Sequence, residues 1–364
     1  MKIHRRNPLL GNAPLPCEMV FAPDWWFASA GITFDEDFFF DPRRRVADER
    51  RKVQVLAERF SGWGLDDSRG ADLPPQVGAV HLAAGFMIDG MMGCEIEYHE
   101  SAPPTVHARD LDSLSEMPGS QVAVESSIYK KWLQMVDTLK QQYGRVEGDV
   151  NWGGPLNVAL NLRGQNFFID MIEHPKEAGQ KLEDIAQTIE AFTTVVFERT
   201  GSTSISVNRT LRHFSRPVFL HSECSHTMID LPAYRALLQP IDKRWSREQR
   251  PFGIHYCGGD ADRFAQAFAE LPALDFVDVG WGSDIATLRQ LLPDAFLNIR
   301  YCPVAIIDHE VDEIRQTVRR RVDESGNPHL TGVCCVNMDR QVEDRKVVAI
   351  LEEVRALRDE FAAC

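Results

Sequence analysis

Three short segments combine residue types that can hold a metal ion or move a proton. In Pro251-Phe252-Gly253-Ile254-His255-Tyr256-Cys257-Gly258-Gly259-Asp260, an apolar run ends in a His and a Cys two positions apart. Side chains alternate along a strand, so residues i and i+2 share a face. His255 and Cys257 therefore point the same way at the C-terminal end of a predicted strand, and Gly258-Gly259 supplies the turn that follows. An imidazole nitrogen and a thiolate on one face form half of a tetrahedral zinc site. His-x-Cys alone is a weak signal, because a buried His beside a core Cys gives the same spacing. A further ligand has to come from another strand end. Thr331-Gly332-Val333-Cys334-Cys335-Val336-Asn337-Met338-Asp339 is an apolar run ending in polar residues. Cys334 and Cys335 face opposite ways on a strand, so only one can reach the same rim, and the spacing does not choose between them.

The third segment, Leu220-His221-Ser222-Glu223-Cys224-Ser225-His226, competes as a metal or substrate site. Glu223 is its first candidate. Alternation puts His221 on the face of Glu223, and Cys224 and His226 on the opposite one. Cys17, Cys94, Cys302 and Cys364 read as structural thiols.

The elements that must position these groups alternate in kind. Short apolar runs at Val77–Leu82, Arg145–Val150, Ile205–Val207, Pro217–Leu220, Phe252–Tyr256, Phe276–Val279, Phe296–Ile299 and Gly332–Val336 are separated by segments of helical periodicity. That alternation is the signature of βα units and a parallel sheet. Pro175 to Phe197 has apolar residues at helical spacing. Asp308 is placed to cap a helix with Val311, Ile314, Val318 and Val322 on one face, and Val347 to Phe361 repeats the pattern. Residues 1–75 read as a helical and irregular extension packed on the barrel, and residues 76–364 as a (β/α)8 barrel, the catalytic domain. In such a barrel the active site lies at the C-terminal strand ends. Asn151, Asp278 and Asp284 fall at or just past predicted strand ends, and Trp25, Trp26, Trp152 and Trp281 are candidates to wall a mouth there.

Composition is that of a globular enzyme: 364 residues, 44% hydrophobic and 26% charged. A formal charge of −14 argues against a nucleic-acid partner. The basic runs Arg43-Arg44-Arg45 and Arg319-Arg320-Arg321 read as solvated helix faces. No internal repeat, signal peptide or membrane-length apolar stretch is visible. Eight scattered cysteines without a CxxC pair fit a reducing cytoplasm.

Several of these stretches also carry a resemblance. Gly93-Cys94-Glu95-Ile96-Glu97 with its Pro-containing loop to Pro104, Gly153-Gly154-Pro155 through Arg163-Gly164 to His174-Pro175, and His255 to Gly258 together resemble the uroporphyrinogen decarboxylase superfamily, over most of residues 20–360. True decarboxylases hold a tetrapyrrole with arginines of an R-x-A-G-R element. The matching region here, Asp24 to Gly31, has none, and no arginine occurs between Arg6 and Arg43. A substrate with many carboxylates needs cationic partners, so the resemblance points to the other branch, the cobalamin-dependent methyltransferases. These include methylcobalamin:coenzyme M and O-demethylase types.

In that branch a later Cys completes the H-x-C pair, and Cys334 is the position it implies. The expected metal ligands are thus His255, Cys257 and Cys334, holding Zn2+. No D-x-H-x-x-G corrinoid-binding motif occurs, so the corrinoid, as methylcobalamin or cob(I)alamin, would come on a partner protein. Glu223 and Asp278 are the expected catalytic groups, and Asn151, Trp152 and Trp281 the expected cofactor contacts. The implied activity moves a methyl group between the corrinoid and a small methyl ether, methylamine or thiol. Two alternatives stay open. One is a decarboxylase drawing on Arg163 or Arg212, and the other is a catalytically silent corrinoid- or tetrapyrrole-binding protein.

Overall fold

Strand and helix alternate along the chain as the periodicity predicts. The computed structural model describes residues 14–65, 76–78, 85–203 and 209–362. Its strands are β1 (Cys17–Phe21), β2 (Gln76–Gly78), β3 (Glu95–Glu97), β4 (Thr105–His107), β5 (Glu147–Asp149), β6 (Phe219–Ser222), β7 (Phe252–His255), β8 (Phe276–Val279), β9 (Phe296–Tyr301) and β10 (Thr331–Met338). Six of them form one parallel sheet in the order β1-β10-β9-β8-β7-β6. β2 pairs in parallel with β5, and β3 with β4 in antiparallel. Every residue of β6, β7, β8 and β9 is buried. Continuous burial is what a parallel sheet covered on both faces requires.

The architecture is therefore α/β with a curled six-stranded parallel sheet, compatible with a TIM-like fold. The strand expected at Ile205–Val207 lies outside the described residues, as do residues 79–84 around the end of the first expected one. One strand of the six-stranded sheet was not expected at all, nor was the β3–β4 pair. β1 belongs to the N-terminal portion, yet it pairs with β10, Cys17 opposite Val333 and Glu18 opposite Cys334. Glu18 interrupts the apolar run and hides the strand from periodicity. Its buried carboxylate is neutralised by Arg209 at 3.3 Å, Arg212 at 2.9 Å and His213 at 2.7 Å, which permits burial of a charge.

The expected helices form at Pro175–Thr200, Val311–Ser325 and Asp344–Ala362, the last two packed on each other. Asp308 does not cap the second of these. It ends a preceding turn of helix, Pro303–Asp308, and Glu310 takes the N-cap position. Arg45 likewise departs from the solvated face expected for its run. It is buried over the Phe38 ring at 4.4 Å and pairs with Glu49. Trp25 and Trp26 are core residues, stacked or edge-on against Phe21 and Phe60 rather than walling a mouth. Among the described residues no helix is long and apolar enough to cross a membrane.

Candidate metal and active site

Parallel register brings the polar residues of neighbouring strands side by side. His255 on β7 lies opposite Asp278 on β8, and Asp278 opposite Asn298 on β9. His255 Nδ1 and Asp278 Oδ2 are 2.5 Å apart. Asn298 Nδ2 donates to Asp278 Oδ1 at 2.8 Å and to Cys334 Sγ at 3.1 Å, while Thr210 Oγ1 donates to Asn298 Oδ1 at 3.1 Å. With Nδ1 committed to a carboxylate, Nε2 is the atom left for a ligand. It sits 2.9 Å from Cys257 Sγ. A carboxylate behind the imidazole is the arrangement that orients a metal-binding His.

The electrostatics separate the sulfurs. A hydrogen bond with Cys224 pulls the Cys257 thiol well below its ordinary value, against burial, and His255 and Arg300 pull in the same direction. Burial opposes charge on His255, but Cys257 and Asp278 outweigh it and lift the imidazole to about 9. Burial and the Asp278 charge push Cys334 well above its ordinary value, and the bond with Cys257 and burial push Cys224 the same way.

The donor atoms of His255, Cys257 and Cys224 all lie within 4.8 Å of one another. The structure thus unites the expected His255-Cys257 pair and adds Cys224 to it. Cys334 is not in this set. It is fully buried on β10, opposite Arg300 in register, and joins the pair only through Asn298 and Asp278. Cys335 is buried as well.

The turns behind the pair are held by backbone contact. A Cβ on Gly280 would fall 1.3 Å from the Gly258 carbonyl oxygen, so at this point the loops after β7 and β8 can meet only through glycine.

A cavity of about 590 Å3 opens over this cluster. His255, Cys257 and Arg300 line it from the sheet, and Cys224, Asp89, Asn151, Trp152, Asn157 and Asn161 from loops and helices. Asn151 and Trp152 therefore stand where a cofactor or substrate contact was expected. Trp281 does not. It lines a separate pocket with Arg300 stacked 5.1 Å above its ring. Asp278 acts behind His255 and is fully buried. Asp284 is an N-cap, accepting from Thr287 N at 3.0 Å.

Glu223 is also fully buried and outside the cavity lining. Its carboxylate accepts from the backbone N–H groups of Leu156 (2.8 Å), Asn157 (3.1 Å) and Ser225 (3.2 Å). It thus clamps the N-terminus of the Pro155–Arg163 helix, where orphan donors and the dipole favour an anion. Gly154 makes room, since a Cβ there would meet Glu223 Oε2 at 2.5 Å. His221 is a buried imidazole shared with Asp242 at 2.6 Å, and that carboxylate lifts it, against burial, to about 9.

Arg300 and Asp89 are among the cavity residues that sequence reasoning missed. Arg300 alternates inward on β9 two positions after Asn298, a signal that was present but unused. It donates to the Tyr256 carbonyl at 2.6 Å. Asp89 is buried on the Met87–Met91 helix, where no local pattern marks it. It accepts from Asn161 Nδ2 at 2.8 Å, and burial pushes it up to about 7.

The family model for uroporphyrinogen decarboxylase (URO-D) matches residues 83–356. No curated protein gives a significant match. Similar solved structures include a methyltransferase from Methanosarcina mazei, with a TM-score of 0.68 at 13% identity, covering 97% of this chain and 95% of that one. B12-independent methionine synthases from a Shewanella species (TM-score 0.49, 8% identity, 97% and 100% covered) and, as a putative one, from Listeria monocytogenes (0.48, 9%, 96% and 98%) are more distant.

Proposed function

The chain belongs to the uroporphyrinogen decarboxylase family, and from that premise we propose that it is a zinc-dependent methyltransferase working with a corrinoid carried on a separate protein. The observation that carries this reading is the 2.9 Å approach of His255 Nε2 to Cys257 Sγ at the cavity wall, with Nδ1 tied to Asp278. An oriented imidazole beside an acidified thiol is a soft donor set of the kind zinc takes. His255 and Cys257 would hold the ion, with Cys334 the further sulfur that the family resemblance implies. When bound, zinc supplies Lewis acidity, which acidifies a thiol or polarises the heteroatom that carries the methyl group.

The remaining residues bind and orient. Asp278 fixes the imidazole tautomer. Asn151, Trp152, Asn157 and Asn161 shape a polar and aromatic wall for a small methyl ether, methylamine or thiol. Asp89 stands on that wall to hold or accept a proton. Met228, one of the lining residues, is 58% exposed, leaving an open approach for a group borne by another protein. Closure of the strands into a full (β/α)8 barrel, and a cytoplasmic setting, are part of the same proposal.

The decarboxylase alternative finds little support in this cavity. Arg300 is the only Arg or Lys among its described lining residues. Arg163 is engaged by Asp170, and Arg212 by Glu18.

Metal analysis and cobalamin absorption test the proposal together. The expected result is about one zinc per chain and interconversion of cob(I)alamin and methylcobalamin with a donor or acceptor from the three classes. A folded, metal-free protein, or one that exchanges methyl with none of them, would reject it.

A further inference from the structure

We propose that Cys224 is a sulfur ligand of the same ion as His255 and Cys257, and the one ligand that sits on the open side of the site. The inference rests on the reading that a metal occupies this cluster. It departs from the ligand set implied by the family resemblance, which contains no residue from this loop: Cys224 takes the third protein position in place of Cys334, and the fourth is left to substrate.

Three observations carry it. First, the donor atoms of Cys224, His255 and Cys257 already lie within 4.8 Å of one another. Ligand atoms bonded to zinc at roughly 2.0–2.3 Å in a tetrahedron are about 3.3–3.8 Å apart, so a small inward adjustment suffices. Second, the position of Cys224 is built. It opens the 3-10 turn Cys224–Met228 directly after Glu223, whose carboxylate is clamped by three backbone N–H groups. The turn is tied again at Ser225, whose N and Oγ donate to Asn157 Oδ1 at 3.0 and 2.6 Å. Third, Cys224 is exposed, whereas His255 is 2% exposed and Cys257 half-buried. A substrate heteroatom entering the cavity meets the Cys224 side first.

Strand alternation placed Cys224 on the face opposite Glu223. That rule stops applying because β6 ends at Ser222 and the chain turns there.

The test uses the full chain and Cys224→Ser and Cys224→Ala variants, with Cys302→Ser as a control thiol. Zinc affinity is read by competition with a chelator, sulfur number by X-ray absorption of the zinc form, and thiolate-to-metal absorption on Co2+ substitution. The expected result is one sulfur fewer, weaker thiolate-to-cobalt absorption and affinity lowered about tenfold or more in both Cys224 variants. Cys302→Ser should match the parent. Unchanged sulfur number and affinity in the Cys224 variants would overturn the inference while leaving the metal reading intact. A parent protein that binds neither Zn2+ nor Co2+ would overturn both.

Discussion

The two sides of the cavity are built by different means. On the sheet side, His255, Asp278, Asn298 and Cys334 come from four adjacent strands, joined by a chain of hydrogen bonds from Nδ1 to Sγ. On the loop side, Cys224, Asn157, Asn161 and Asp89 come from a 3-10 turn and two helices, held together by the Glu223 clamp and the Asn161–Asp89 bond. The first side is fixed by register, which backbone pairing specifies over many residues. The second is fixed by a few side chains, each of which can fail alone. Rigidity therefore belongs to the sheet side, and adjustability to the loop side.

Substitutions can break or sharpen that contrast. The largest effect is expected for Cys257→Ala, which should reduce bound zinc from about one per chain to near none with the fold intact by circular dichroism. Retention of zinc would show that the loop side carries the site without it. Next, Glu223→Ala removes the acceptor of three buried N–H groups and should cost about 3–4 kcal/mol in urea unfolding. A loss under 1 kcal/mol would mean that the loop side is not held by this clamp. Asp278→Asn should weaken zinc binding about 10–100-fold, because it disturbs the orientation of His255, and should cost less stability than Glu223→Ala, since Asn298 and His255 keep a polar partner there. Equal loss of stability and affinity would erase the distinction drawn for the sheet side.

The smallest effect concerns Asp89 and depends on pH. Its carboxyl is pushed by burial from 3.8 to about 7. Between those values the folded protein keeps a proton that the unfolded chain has released, so stability falls as pH rises through that window. A shift of that size represents ~4 kcal/mol, part of it offset in Asp89→Asn by weaker bonding to Asn161. The variant should be about 1–2 kcal/mol more stable than the parent at pH 8 and not at pH 4, measured by urea unfolding at both. A parallel pH dependence in the two proteins would place the titrating group elsewhere.

What the sequence revealed follows the same division. The parallel sheet, the strand ends and the pairing of His255 with Cys257 were legible because they depend on period-two alternation and on Gly-rich turns. The role of Asp278 emerged only with the register, since no spacing identifies the neighbour of a strand residue. Glu223 was expected at the chemistry and instead holds a helix end. A carboxylate after a strand looks the same in either role, and only the partner helix decides. The union of Cys224 with that pair, the place of Asp89 and β1 were hidden for a shared reason. Each is placed by contacts with residues far away in the chain, a turn against Asn157, a helix against Asn161 and a charged strand against Arg209 and Arg212.

The bare main-chain contact of Gly280 with Gly258 has a consequence for how this scaffold can change. At these two glycines neither loop tolerates a side chain. Positions 258 and 280, beside Cys257, are therefore closed to variation by substitution, and altered substrate preference is more readily written into the opposite bank, at Asp89, Asn157, Asn161, Phe168 and Met228.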